Sequence, residues 1–188
     1  GMKKVESSEI DTLSYMAAYR IYERKDLAEA KVKFQEYLDY FSNGAFSLNC
    51  HYYIGVIEFG EKEYDNAVAH LKKVAKYPNS RFYGDAIMYL AESYYNTKEF
   101  GKAVEAYKSV LGMTDDAERR QSVLMNIMHT AKQTGDSDNI IFAADELLKE
   151  KNLKEQWRRE ARYNRAKELI AADKAADAMP DLKELAKE

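Results

Sequence analysis

The sequence predicts an all-α fold: an α–α superhelix of about five helical hairpins, ten helices in all. Three observations carry this. Only 2 prolines and 8 glycines occur in 188 residues, too few for the many turns of an all-β protein. Apolar residues recur at three and four in "YMAAYRIY", "AKVKFQEYL", "YYIGVIEF" and "AVAHLKKVA", the spacing of one helix face. And "GEKEYDNAV" at 60–68 returns 36 residues later as "NTKEFGKAV" at 96–104. Self-similarity at that period marks a solenoid of stacked units.

The echo belongs to a longer ladder. Ala18, Gly55 and Ala91 are each followed 12 residues later by Ala30, Ala67 and Ala103. Met128 with Ile140, and Ala166 with Ala178, keep that spacing, so successive units are offset by 37, 36, 37 and 38 residues. Two helices joined by a short turn cross closely, and the crossing point excludes bulky side chains. Glycine inside a helix costs roughly 1 kcal/mol in propensity, and Gly55 is tolerated because close approach offsets that cost. Four residues after the second member come Phe34, Leu71, Tyr107, Ala144 and Leu182, which are expected to pack within their own hairpins.

The units fall at 11–47, 48–83, 84–120, 121–158 and 159–188, forming one solenoid domain over 11–188. Residues 1–10 form a lead-in, with Gly1 before Met2 read as a tag remnant. Asn43-Gly44, Pro78-Asn79, Gly112 and Gly135-Asp136 separate the periodic segments. Asp115 with Glu118, and Asn152 with Glu155, have capping-box spacing and are expected to start helices. The chain stops inside the second helix of its last unit, so either a longer array or self-association through the C-terminal repeat is expected.

Composition narrows the function. Hydrophobic residues make up 46% and charged residues 32%, a foldable balance, and the net charge of −3 makes no global case for nucleic acid. No apolar run approaches the length of a membrane span. A lone Cys50 excludes an internal disulfide framework. "MKK" resembles the start of an export signal, but "VESSEIDTL" is not its apolar core. His51 and His70 stand in the second unit and His129 in the fourth, and all three read as ordinary helix residues; Cys50 and His51 diverge by about 100° on one helix and cannot share a metal. No metal, phosphate-loop or nucleophile motif occurs, so neither cofactor nor catalysis is expected. Arg158, Arg159, Arg162 and Arg165, interleaved with Trp157 and Tyr163, are diluted by three glutamates within 154–167. They read first as a solvated face, then as a contact for an acidic protein, and last as a nucleic-acid site.

These units resemble the tetratricopeptide repeat, whose pattern has a small residue at its eighth position, alanine at its twentieth and a large residue at its twenty-fourth. The likeness spans about residues 11–188 and is strongest in the second and third units; the consensus tryptophan at the fourth position is absent. Units of 36–38 residues, closing with "FQEYLDYFSNG" and "LKKVAKYPNS", look like a longer bacterial subtype found in envelope proteins. The resemblance therefore implies a right-handed superhelix and a bacterial envelope setting, with the periplasm favoured.

It also implies a partner-binding groove lined by positions two, five, nine and twelve of each first helix. Position by position these are Tyr15, Tyr19 and Tyr22; Tyr52, Val56 and Phe59; Met88, Glu92 and Tyr95; Met125, His129 and Lys132; and Tyr163 with Lys167. Tyrosine, with 15 copies, suits such a surface because it offers a large apolar body, a polar tip and few rotatable bonds. The lysine–asparagine clamp of chaperone-tail binders is missing, since those positions hold Tyr15 and Tyr19, Tyr52 and Val56, or Met88 and Glu92. The expected function is a non-catalytic module that holds a peptide or partner helix. A structural or oligomerisation segment with no dedicated ligand is the other possibility.

Overall fold

The computed structural model describes residues 2–187, with side chains from Ser8 onward. Among the described residues there are ten helices and no strand. They fall into two compact units, Gly1–Thr97 and Lys98–Glu188. The first holds α1 (Met2–Glu23), α2 (Leu27–Tyr40), α3 (Ser47–Gly60), α4 (Tyr64–Val74) and α5 (Tyr83–Asn96). The second holds α6 (Phe100–Leu111), α7 (Ala117–Lys132), α8 (Ser137–Lys149), α9 (Glu155–Ala171) and α10 (Ala175–Leu185).

Within each unit, consecutive helices pack on one another, and in the first α3 also touches α5. All ten ladder residues, from Ala18 to Ala178, are buried. The reason for smallness is clearest at Gly55, where an added Cβ would lie 2.8 Å from the Leu71 Cγ. Phe34, Tyr37, Ile54, Leu71 and Val74 fill the first core; Val110, Leu124, Ile127, Met128, Ile140 and Leu147 fill the second.

The tight turns between hairpin helices repeat too. Lys25, Lys62, Lys98, Gly135 and Asp173 all have positive φ, between 58° and 67°. Their offsets of 37, 36, 37 and 38 residues are those of the ladder, so one left-handed residue closes every hairpin turn. Four of the five are not glycine.

Several local expectations need correction. Asp116, not Asp115, caps α7 by accepting from the Arg119 N–H at 2.6 Å. Asn152 caps nothing, because α9 begins at Glu155 behind Lys154, whose side chain makes no cap bond. The capping residues in the hairpin turns are Asp26 and Asp136, which accept from Glu29 N and Asn139 N at 3.2 and 3.1 Å. Leu182 does not pack into its hairpin: it is 38% exposed, whereas Phe34, Leu71, Tyr107 and Ala144 are buried.

The inward position on α10 goes to Asp181, 3% exposed. The fork of Arg165 on α9 holds it, donating from Nε and Nη2 at 2.7 and 2.6 Å, while Nη1 reaches Asp145 on α8 at 2.7 Å. A bidentate pair of this kind satisfies both buried carboxylate oxygens. It fixes the rotation of α10 against apolar preference.

Candidate interaction surface

In the first unit, α1 supplies Tyr15, Tyr19 and Tyr22, and α3 supplies Tyr52, Tyr53 and Phe59 one repeat later. Tyr19 and Tyr22 lie 6.3 Å apart, and each meets Tyr53, at 5.4 and 4.7 Å. Tyr53 stacks on Phe34 of α2 at 5.3 Å and abuts Phe82 at 5.8 Å. It is therefore the hub of the cluster, although the repeat register had singled out its neighbour Tyr52. Phe59 meets Tyr89 of α5 at 5.0 Å.

Outward of this hub lies a partly exposed surface. Tyr19, Tyr22, Tyr52, Phe59, Met88 and Tyr89 are each half-buried, and Tyr95 is 37% exposed. Burial, then the Asp85 carboxylate and the neighbouring Tyr89 and Tyr22 phenols, push the Tyr52 hydroxyl up to about 12, and Tyr22 is raised by burial and by Tyr89. Hydroxyls from α1, α3 and α5 thus share one neighbourhood. The raised Tyr22 and Tyr52 hydroxyls stay neutral hydrogen-bonding groups at physiological pH.

Two residues expected on this kind of surface are core instead. Tyr15, 5% exposed, stacks on Phe46 at 4.3 Å and accepts a bond from Asn49 Nδ2 at 3.1 Å. Met125, in the second unit, is also 5% exposed. The alternation of helical faces explains both: a position-five side chain leans toward the neighbouring hairpin wherever that hairpin leaves room. Elsewhere in the second unit, His129 and Lys132 on α7 both turn to Glu160 on α9, at 2.8 and 3.8 Å. Tyr163 on α9 is 60% exposed and lines a shallow cleft with Gln156, Arg159, Glu160 and Leu185.

Three polar features lay outside the sequence reading. Asp11 on α1 receives the Tyr37 hydroxyl proton and the Ala45 N–H (3.1 Å), pinning the α2–α3 loop. His51 on α3 and His70 on α4 meet Nδ1 to Nδ1 at 2.9 Å with ring centroids 5.1 Å apart. The nitrogens thus face head-on, as in an N–H···N bond, and do not converge on a third point as metal ligands would. Burial, and for both rings the nearby Lys73, lowers their pKa values to about 4. Glu58 on α3 is 7% exposed, with no partner for Oε2 among the described residues. Burial raises its pKa to about 7, against the pull of Lys31, which pairs with Glu61 and Glu63. The other repeats hold Ile21, Tyr94, Ala131 and Leu169 at this register.

The basic stretch is likewise drawn into the fold. Arg165 is engaged as described, and Arg158 reaches the Glu150 carbonyl at 3.5 Å and Glu155 at 3.7 Å. Among the described residues no group of three or more His, Cys, Asp or Glu is placed to hold a metal ion, and no helix is long and apolar enough to cross a membrane.

Hairpins of fixed period, with small residues at four of the five crossings, define an α-helical repeat protein. Residues 50–80 and 85–112 match the tetratricopeptide repeat family model, so repeats of that family are present over this part of the chain. Among curated proteins, none matches the sequence. Solved structures share its fold along nearly the whole chain. A tetratricopeptide repeat protein from Parabacteroides merdae ATCC 43184 has a TM-score of 0.64 at 13% identity, covering 96% of this chain and 80% of that one. MamA from Desulfovibrio magneticus RS-1 gives 0.59 at 15%, covering 94% and 93%. TPR-like repeats attributed to a kinesin light chain of Podosopora anserina give 0.57 at 14%, covering 96% and 94%. At such identities the likeness shows the fold alone. That fold is in general a protein-interaction scaffold without catalysis.

Proposed function

We propose that the chain binds a peptide or a partner helix on the surface formed by α1, α3 and α5. The observation that supports this is the run of half-buried aromatic side chains there, contributed by three successive first helices. Aromatic anchors that keep part of their surface in water carry disproportionate binding energy when a partner covers them. The long repeat period favours a bacterial envelope protein or complex as the setting. Reading the gene upstream of Met2 for an export signal tests that; a chain made without one places the module in the cytoplasm.

The binding role is tested by selecting a phage-displayed random peptide library on the immobilised chain. Peptides should enrich on the native protein, and their affinity should fall at least tenfold in a Tyr22→Ala, Tyr95→Ala variant that melts within a few degrees of it. Equal capture by both proteins removes the surface from consideration.

A second reading, self-association, draws on a different observation. Ile10, Leu13 and Met16 on α1 are 58%, 68% and 39% exposed at a spacing of three, and Ile170, Met179 and Leu182 near the other end are similarly open. If these faces pair copies of the chain, light scattering will show a mass that rises with concentration and reverts in Leu13→Glu or Met179→Glu. A constant monomer mass excludes it.

A further inference from the structure

We infer that the occupant of the α1–α3–α5 surface presents a lysine or arginine side chain to Glu92. This rests on the binding role proposed above and adds the partner's chemistry to it. Helices α3 and α5, 14 residues each, contain no lysine or arginine, yet carry the carboxylates of Glu58, Asp85 and Glu92. The cations of this surface, Lys25 over the Tyr22 ring and Arg81 over the Phe82 ring, come from outside these two helices.

Glu58 is sealed in the core and cannot meet a ligand. Glu92 is different. It is only half-buried, one helical turn after Tyr89 and one before Tyr95, on the same side of α5 as both. Its carboxylate has no ion pair or hydrogen bond among the described residues, and partial withdrawal from water raises its pKa. A carboxylate left unpaired and partly withdrawn from water is costly to keep ionised. A cation placed there meets an opposite charge and the negative faces of Tyr and Phe rings together, the combination that favours ammonium and guanidinium groups. The rim already shows the pairing on a small scale, since Lys25 Nζ sits 5.9 Å from the centre of the Tyr22 ring. An acidic segment would meet repulsion from Glu92, and a purely apolar one would bury Glu92 with nothing to compensate it.

The test is to compare peptides selected on the native chain with those selected on Glu92→Gln. Native selections should share a lysine or arginine at one fixed position among apolar residues. Selections on Glu92→Gln should keep the apolar residues and lose the basic one. A synthetic peptide of the native motif should bind Glu92→Gln at least tenfold more weakly, recover on Glu92→Asp, and weaken as salt rises. If the native motif lacks a basic residue but binding still collapses in Tyr22→Ala, Tyr95→Ala, the cationic occupant is wrong and the binding surface stands. If nothing enriches, or enrichment ignores those tyrosines, both are wrong.

Discussion

The two units of this chain share one repeat but hold their helices together by different means. Thirteen of the 15 tyrosines lie before residue 98, and six of the nine arginines lie after it. In the first unit, rings from α1 and α2, with Phe82 just before α5, meet Tyr53 of α3 at 4.7–5.8 Å. In the second, arginines tie one helix to another: Arg165 links α8, α9 and α10, and Arg120 of α7 reaches Glu150 at 3.3 Å and the Leu111 carbonyl at 3.5 Å. Aromatic contacts tolerate partial exposure because a ring keeps an apolar body inside while its edge stays wet. Forked ion pairs demand satisfaction at every donor. The first means leaves a surface able to accept a partner, and the second uses its polar groups up internally.

The comparison breaks most visibly at Arg165. Arg165→Ala leaves the Asp181 carboxylate buried without its partner, and removing one member of a buried pair costs about 3–5 kcal/mol. Denaturant unfolding should show that loss. Replacing both members, with Arg165→Met and Asp181→Leu, should recover most of it. If Arg165→Ala alone is near neutral, the fork is a surface decoration and the contrast between the units fails.

Glu58 sharpens the same contrast from the other side, as a buried charge in the aromatic unit that lacks a fork. The folded state holds its proton up to about pH 7, whereas an ordinary glutamate loses it near pH 4.5. Folded protein therefore binds more protons between these values, and stability must fall as pH rises from about 4.5 to 7. His51 and His70 act oppositely: unfolded histidines gain protons below about pH 6.5, folded ones only near pH 4, so their contribution is lost as pH falls through that window. Native protein should thus show a stability maximum on the acidic side of neutrality. Glu58→Gln should gain on the order of 2 kcal/mol at pH 8 and little at pH 4.5, shifting the maximum toward neutral. Parallel pH profiles for the two proteins would refute the buried-acid account.

How far the sequence revealed this molecule depends on which kind of spacing carried the information. The ladder from Ala18 to Ala178 was legible because steric exclusion at a helix crossing recurs at a fixed interval. The hairpins and their buried small residues follow from it. Asp181 was not legible: a rule of apolar residues four after the ladder chooses Leu182, and only the distant Arg165 reverses that choice. Tyr53 was hidden for a related reason. In the doublet Tyr52-Tyr53 the family register selects the first, while the hub is whichever ring fits between Tyr22, Phe34 and Phe82. The His51–His70 contact joins residues 19 apart on two helices, and no periodicity encodes it. Repeating contacts were readable, and contacts made once were not.

Gly55 probes the crossing geometry itself. Gly55→Ala gains helix propensity of roughly 1 kcal/mol, so a mere surface glycine would stabilise the protein when replaced. Here the new methyl would lie 2.8 Å from the Leu71 Cγ, and Leu71 is fully buried with nowhere to retreat. Overpacking of this kind costs about 1–3 kcal/mol, which should exceed the propensity gain. A lower midpoint is expected in thermal unfolding, and a higher one would mean that α3 and α4 cross elsewhere.

The smallest expected effect lies in the hairpin turns, where the units agree in geometry but differ in residue. Lys62 adopts φ 64° to close the α3–α4 turn, and Gly135 adopts φ 67° at the equivalent point of the α7–α8 turn. A side chain in the left-handed region costs roughly 1–2 kcal/mol. Glycine avoids that but loses more freedom on folding, by roughly 0.5–1 kcal/mol. Lys62→Gly should therefore stabilise the protein by a net few tenths to about 1 kcal/mol, and Gly135→Lys should destabilise it by a similar amount. The lysine side chain is exposed, so its loss removes no packing, and the two substitutions report the backbone alone. Matched, opposite shifts in denaturant midpoint would show that the turn is one conformation used in both units. Loss of stability in Lys62→Gly would mean that the Lys62 side chain contributes something the φ angle does not record.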